Sequence, residues 1–254
     1  LTFLEPARGL RLAKTITNDG SLPYPLAKKF TSHVTYVAPN EDGLREAFDV
    51  MQSHGLKGHA VHKGILKEQL KDSPRKGKAD LNASTNLLVI DLDDYVPASP
   101  LATPITAADL RVLVDNVRAN LPAPLNKTAC IANASASTGF KANGVVGLHL
   151  FYLLDRPVSP SQLNHWLTNL NFIVDDFTKQ LKLNRSGMSI KWIADPVVAR
   201  NAQIIYIAPP ELKGVQDPFA TPKDRWVLCD GEQWSIDLQP LLDETPPGIV
   251  QQQA

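Results

Sequence analysis

The hydrophobic pattern changes period along this chain, and each change marks an element. Residues 34–37, Val-Thr-Tyr-Val, read as a short strand. Residues 42–54 read as a helix, with Leu44, Phe48 and Met51 on one face at helical spacing. Residues 58–61 predict another strand. Residues 1–30 have no period; they carry an Asn18-Asp19-Gly20 turn and the basic pair Lys28-Lys29. Residues 67–78 also lack period, are punctuated by Pro74 and Gly77, and predict an exposed basic loop.

From residue 86 the order of elements becomes informative. Residues 86–92 form an apolar strand. Residues 106–121 form a helix with Thr106 as N-cap, Asp109 at the third helical position, and Leu110, Leu113 and Val117 on one face. Residues 128–134 and 147–154 are two strands joined by a long polar connection. Residues 159–183 predict one long helix opened by Ser159-Pro160, with Leu163, Trp166, Leu170 and Phe177 in its stripe. Residues 189–194 are the next strand. Residues 204–207 and 226–228 add two more within a Pro-rich stretch, and a short helix follows them.

The order β-α-β-β-α-β is the split, ferredoxin-like unit. The predicted class is therefore α+β: an αβ module over 1–85, a palm over 86–210, and an extension over 211–254 completing the same domain. A flexible tail is expected from about 244. Such a fold hosts many functions, so the function has to come from the site.

Composition narrows the field. The 254 residues balance 26 basic against 26 acidic, so any polyanion site has to be a local patch. The sequence has neither an apolar run of membrane-spanning length nor a signal-peptide core, and a soluble protein of a bacterial or phage-infected cytoplasm is expected. Cys130 and Cys229 stand at no metal-ligand spacing, so no structural zinc is expected, and two isolated thiols suit a reducing compartment. A start at Leu1 and a soft Pro- and Gln-rich end read as a domain trimmed from something longer.

Candidate chemistry begins at Leu87-Leu88-Val89-Ile90-Asp91-Leu92-Asp93-Asp94. Alternation puts Asp91 and Asp93 on one face at the mouth of a buried strand. Read blandly, they are solvated turn aspartates. Read chemically, two like charges invite a cation, and Mg²⁺ or Mn²⁺ suits such oxygen donors. His149 follows Gly147 on a neighbouring apolar strand. Ser135-Ala136-Ser137-Thr138-Gly139-Phe140-Lys141 offers hydroxyls, amides around a glycine and a lysine, either as a phosphate cradle or as an ordinary hairpin loop. Asp195 ends the fourth strand, with Arg200 and Gln203 beyond it as possible phosphate or base contacts. Arg75, Lys76 and Lys78 in the basic loop are weak candidates for tracking a template backbone. His59 and His62 read as surface residues at a strand edge.

D-x-D after an apolar run, then small-x-His on a strand, then an apolar strand ending in Asp resembles the archaeo-eukaryotic primase superfamily. More narrowly, the pattern resembles the primase-polymerase domains of phage and plasmid replication proteins. The matching segments, 87–93, 135–154 and 190–210, are a minority of the chain. The resemblance implies that Asp91, Asp93 and Asp195 hold two divalent metals, Mg²⁺ or Mn²⁺. It implies that His149 binds the phosphates of an incoming NTP or dNTP, with Ser135, Ser137, Lys141 and Arg200 as softer contacts. It further implies a single-stranded DNA template, and a helicase domain or other replisome protein as partner. Two other readings stand beside it: a non-catalytic replication-initiator domain that grips nucleic acid, and a strand-nicking Rep or relaxase endonuclease. The last lacks its His-hydrophobe-His signature, since His59 and His62 are separated by two intervening residues and His149 stands alone.

Overall fold

In the computed structural model, residues 1–141 and 144–244 are described; the tail predicted from about 244 lies almost entirely outside them. The main strands and helices, in chain order, are β1 (Thr2–Pro6), β2 (Phe30–Val34), α1 (Glu41–Leu56), β3 (Ala60–His62), β4 (Thr85–Tyr95), α2 (Ala107–Ala119), β5 (Cys130–Ala134), β6 (Val146–Val158), α3 (Pro160–Ile173), β7 (Ile204–Ile205) and β8 (Trp226–Cys229). They build an α+β fold around two antiparallel four-stranded sheets, ordered β7-β3-β1-β2 and β8-β5-β6-β4.

In the second sheet, β4, β6 and β5 lie side by side as a split β-α-β-β-α-β unit requires. The fourth strand differs from the expectation. Residues 189–194 do not make one ladder: Ile190–Lys191 pairs with Lys182–Leu183, and only residues 193–195 reach the free edge of β4. They do so through a Leu92–Ala194 bridge, with the Asp93 amide donating to Ile193 O at 2.8 Å and the Asp195 amide to Asp91 O at 2.9 Å. Asn171 supplies what a longer ladder would have given. Buried in α3, its Oδ1 accepts from the Ile193 and Ala194 amides at 3.1 and 2.9 Å, while its Nδ2 donates to Ala194 O at 2.8 Å. A buried polar side chain that satisfies the backbone of a neighbouring segment fixes that segment's position.

The predicted helix over 159–183 is also broken. α3 ends at Ile173, because Val174 is extended (ψ 105°), and a single turn, Asp175–Thr178, follows. Thr178 Oγ1 donates to Asn171 O at 2.9 Å and Val174 O at 3.2 Å, so the freed carbonyls are satisfied, and Phe177 turns into the core.

Near the N-terminus, the strand expected at 34–37 lies instead at Phe30–Val34, where polar Ser32 and His33 hide the alternation. Ser32 is buried there because its hydroxyl accepts from the Leu70 amide at 2.9 Å. That contact, with the Phe30–Ser73 bridge, ties part of the 67–78 loop to the sheet, so Leu70 is buried rather than exposed. His59 and His62 are not surface residues. β3 is interior, because β7 arrives from residue 204 and covers the edge that local sequence leaves open, and both rings are buried. His59 Nδ1 lies 2.8 Å from His54 Nδ1 at the end of α1.

β7, from within 86–210, joins the first sheet, β8 of the extension joins the second, and one core cluster runs from Phe3, Met51 and Val61 to Ile90, Leu150 and Trp166. Cys130 and Cys229, far apart in sequence, face each other across β5 and β8 as buried free thiols. Among the described residues, no helix is long and apolar enough to cross a membrane.

Asn171→Leu removes three hydrogen bonds to residues 193–194 and strands their backbone groups. At about 0.5–1.5 kcal/mol net per bond, it is expected to destabilise the protein by ~2–4 kcal/mol in urea unfolding. A loss well under 1 kcal/mol would show that the clamp does not hold the segment.

Candidate active site

Strand register brings the predicted residues into rows. Asn133, His149 and Asp91 are direct cross-strand partners on β5, β6 and β4, so their side chains share one face. Asn133 Nδ2 donates to Arg225 O at 3.3 Å, which turns its Oδ1 toward His149 Nδ1 at 3.2 Å. That network assigns the ring proton to Nδ1. The Nε2 lone pair then lies 3.4 Å from Asp91 Oδ1, acceptor against acceptor. Such a contact needs a proton or a cation between its members.

Two residues along each strand, Ser135, Gly147 and Asp93 make the next row, with the Ser135 amide donating to Gly147 O at 2.9 Å. A Cβ at 147 would lie 2.4 Å from Ser135 Oγ, so the hydroxyl rests in space only glycine leaves open. The β4–β6 register also shifts here. Val146 pairs with Tyr95 and Leu148 with Leu92, so Asp93 and Asp94 together oppose the single Gly147. This is a β-bulge, and Asp94 takes a left-handed conformation (φ 53°) that Asp tolerates. The bulge re-aims Asp94, whose carboxylate pairs with both Lys141 and Lys191. Burial raises the Asp94 pKa, but the two lysines outweigh it and hold it below its ordinary value.

Asp195 sits beside Asp91 because its backbone N–H donates to Asp91 O, and its Oδ1 accepts from the Val197 amide at 3.0 Å. Like charge and burial mark the cluster. Burial first, then the Asp195 charge, pushes Asp91 up to about 7, with Lys141 opposing. Asp93 is pushed up to about 6 by desolvation and by the Asp91 charge. Asp93 is exposed at the strand end, so of these two causes the adjacent charge is the one that its position alone requires. Burial pulls His149 down to about 4 against the attraction of Asp93, leaving it neutral at pH 7.

Three carboxylates in a partly buried site are the oxygen donors a hard divalent cation takes, so these residues fit the Mg²⁺ or Mn²⁺ that the resemblance implies. Among the described residues, however, no three His, Cys, Asp or Glu side chains already surround one point. The acids would close inward to share an ion.

The softer candidates divide. Thr138, not singled out from sequence, is the residue that ties the loop to β6: its Oγ1 donates to Gly147 O at 2.7 Å and accepts from the Gly147 amide at 3.0 Å. Ser135 and Ser137 face each other at 3.3 Å, and the Thr138 and Phe140 amides are taken up inside the loop, which leaves less of a cradle than the sequence suggests. Fully buried Arg225, also unforeseen, donates to Ser135 O at 3.1 Å and Asp217 Oδ1 at 2.6 Å, with Phe219 4.1 Å beneath it. Arg200 is exposed at the end of the turn that follows Asp195.

Among the template candidates, Lys78 is ion-paired with Glu68, and Arg75 donates to Ala202 O at 2.6 Å. Arg75 and Lys76, with Lys28, Lys67 and Tyr206, line a cavity of about 780 Å³. Tyr206 stacks on Tyr24 at 3.7 Å, and Lys14 lies 5.4 Å from the Tyr24 ring. The Tyr24 hydroxyl is pushed up by burial, then by Tyr206, Asp91 and Asp93, so the stack lies within electrostatic reach of the acids. Tyr24 and Tyr206 carry no local signal and meet only in the fold. Asn133 does carry one, as the single polar residue in Cys-Ile-Ala-Asn-Ala. Comparison with protein-family models, curated proteins and solved structures returns no match, so the site's chemistry rests on its own geometry.

The raised acids set a pH dependence. Both unfolded carboxylates titrate near 3.8, and the folded ones near 7 and 6. Below pH 4 both states are protonated, and stability falls as pH rises through 4–7 because only the unfolded state releases its protons readily. Asp91→Asn is therefore expected to melt above the wild type by a margin that grows from pH 5 to pH 8. Each ~1 kcal/mol relieved raises Tm by about 2–4 °C at this size. Mn²⁺ should raise the wild-type Tm and shrink that margin. A margin independent of pH would remove the account of carboxylates raised by burial and like charge.

Proposed function

We propose that this chain is a metal-dependent nucleotidyltransferase of the archaeo-eukaryotic primase type, which makes or extends primers on single-stranded DNA. The observation that supports the reading is the placement of Asp91 and Asp93 on β4 beside His149 on β6, with Asp195 on the short segment bridged to the free edge of β4. Asp91, Asp93 and Asp195 would hold the divalent ions, which when bound activate an attacking 3′-hydroxyl and stabilise a departing pyrophosphate.

The chain's own groups do the rest. A proton taken up between Asp91 Oδ1 and His149 Nε2, 3.4 Å apart, would relieve the contact. With the proton on Nε2, Asp91 is a carboxylate and the imidazolium is a donor for a phosphate oxygen. Asn133 orients the ring for either state. Asp94 holds the Lys141 ammonium where it draws down the pKa of both Asp91 and Asp93, so it also offers positive charge to a triphosphate. The Tyr24–Tyr206 stack beside a cation-lined cavity supports a single-stranded partner, since stacking and phosphate attraction together hold unpaired bases.

The test is incorporation of labelled nucleotides on a poly-pyrimidine template with Mg²⁺ or Mn²⁺. Asp91→Asn and Asp93→Asn should each lower the rate at least ~100-fold while the variants stay folded, and His149→Ala should lower it as well. Wild-type rates from both aspartate variants would overturn the metal role. The same cavity and stack also suit a domain that grips a single strand without chemistry. That reading predicts no incorporation at all and an affinity for single strands that ignores divalent metal.

A further inference from the structure

A larger cavity, of about 890 Å³, opens on the face of the first sheet turned away from α1, between it and the beginning of β4. Alternation places Thr2 of β1, Ser32 of β2 and His62 of β3 on this face, whereas Phe3 and His33 turn toward His54 of α1. Thr85 and Asp91 are six residues apart on β4, roughly 20 Å, so the cavity is separate from the acidic cluster and does not rest on the nucleotidyltransferase reading.

Two groups in its wall are left without a counterpart. Lys63 is only 3% exposed, and its Nζ makes one hydrogen bond, 2.9 Å to Thr85 Oγ1, with no carboxylate paired to it among the described residues. His62 is 1% exposed, and neither ring nitrogen makes a hydrogen bond of good geometry among the described residues; the Gln203 backbone favours its protonated form, but burial and the Arg75 and Lys63 charges pull it down to about 4, so the ring is neutral. Buried cations are ordinarily paired, and buried ring nitrogens ordinarily bonded. Burial lowers Lys63 only to about 8, so it stays charged at neutral pH. Glu68, the acid in the wall, is already paired with Lys78. Much of the remaining lining is apolar, with Leu1, Tyr36, Leu66, Leu87 and Leu153 among it. The volume is that of a pocket for a small molecule.

We propose that this cavity binds a small amphipathic anion, whose carboxylate or phosphate head meets Lys63, Thr85 and His62 and whose apolar body lies along the aliphatic wall. A head of this kind supplies the counter-charge that the Lys63 ammonium lacks, and a better-placed acceptor for an imidazole N–H of His62.

Calorimetric titration of the full chain tests it, with octanoate, octyl phosphate, octanol and octylammonium as probes. One anion should bind saturably at 1:1, at least tenfold tighter than octanol or octylammonium, and the preferred head separates carboxylate from phosphate. Lys63→Met, which keeps an unbranched apolar stem and removes the charge, should lose at least tenfold of the anion's affinity and none of octanol's. Equal binding of anionic, neutral and cationic probes by the wild type would overturn the proposal without reference to any variant's folding. So would the absence of saturable anion binding, or a folded Lys63→Met protein that binds the anion as the wild type does.

Discussion

The arrangement turns on one contact, between a neutral imidazole nitrogen and a carboxylate oxygen 3.4 Å apart on neighbouring strands. Neither atom brings its own hydrogen once Asn133 has taken the other ring proton, and Asp93 and Asp195 add negative charge beside them. A site built this way has too many acceptors and too few positive charges. It stays folded by raising pKa values, and it is relieved by whatever positive charge enters. The electrostatic strain and the proposed chemistry are thus the same physical fact.

Holding that strain requires stiff surroundings, and the neighbouring residues supply them. Asn171 pins residues 193–195 against β4 with side-chain bonds where a longer strand would have used a ladder. The bulge opposite Gly147 turns Asp94 away from its sister aspartates, so that its charge anchors two lysines instead of adding to the repulsion. Arg225, deep in the sheet's far edge, grips the Ser135 carbonyl and so positions the start of the hydroxyl-rich loop. Each of these is a polar group whose bonds are local and whose consequence is the geometry of the acids.

Two regions of the molecule differ in electrostatic sense. Around Asp91 there is an excess of negative charge within reach of a cation-lined cavity. Around Lys63 there is a buried positive charge with no acid paired to it among the described residues, enclosed mainly by aliphatic groups. A chain with zero formal net charge has sorted its charges locally.

Much of this was readable without coordinates. The periods of 2 and 3.6 located β4, α2, β6 and the start of α3, because burial of one face imposes those periods on any sequence. The D-x-D pair, the glycine before His149 and the aspartate after an apolar strand were visible because each sits where a strand ends. What local pattern could not show was partnership across the chain. It could not foretell that β7 would bury His62, that Asn171 would stand in for half a strand, that Tyr24 would meet Tyr206, or that Lys63 would be enclosed without an acid. Periodicity records which side of an element faces inward; which distant residue waits there is decided only when the sheets close, since contact depends on register and packing rather than on neighbours in sequence.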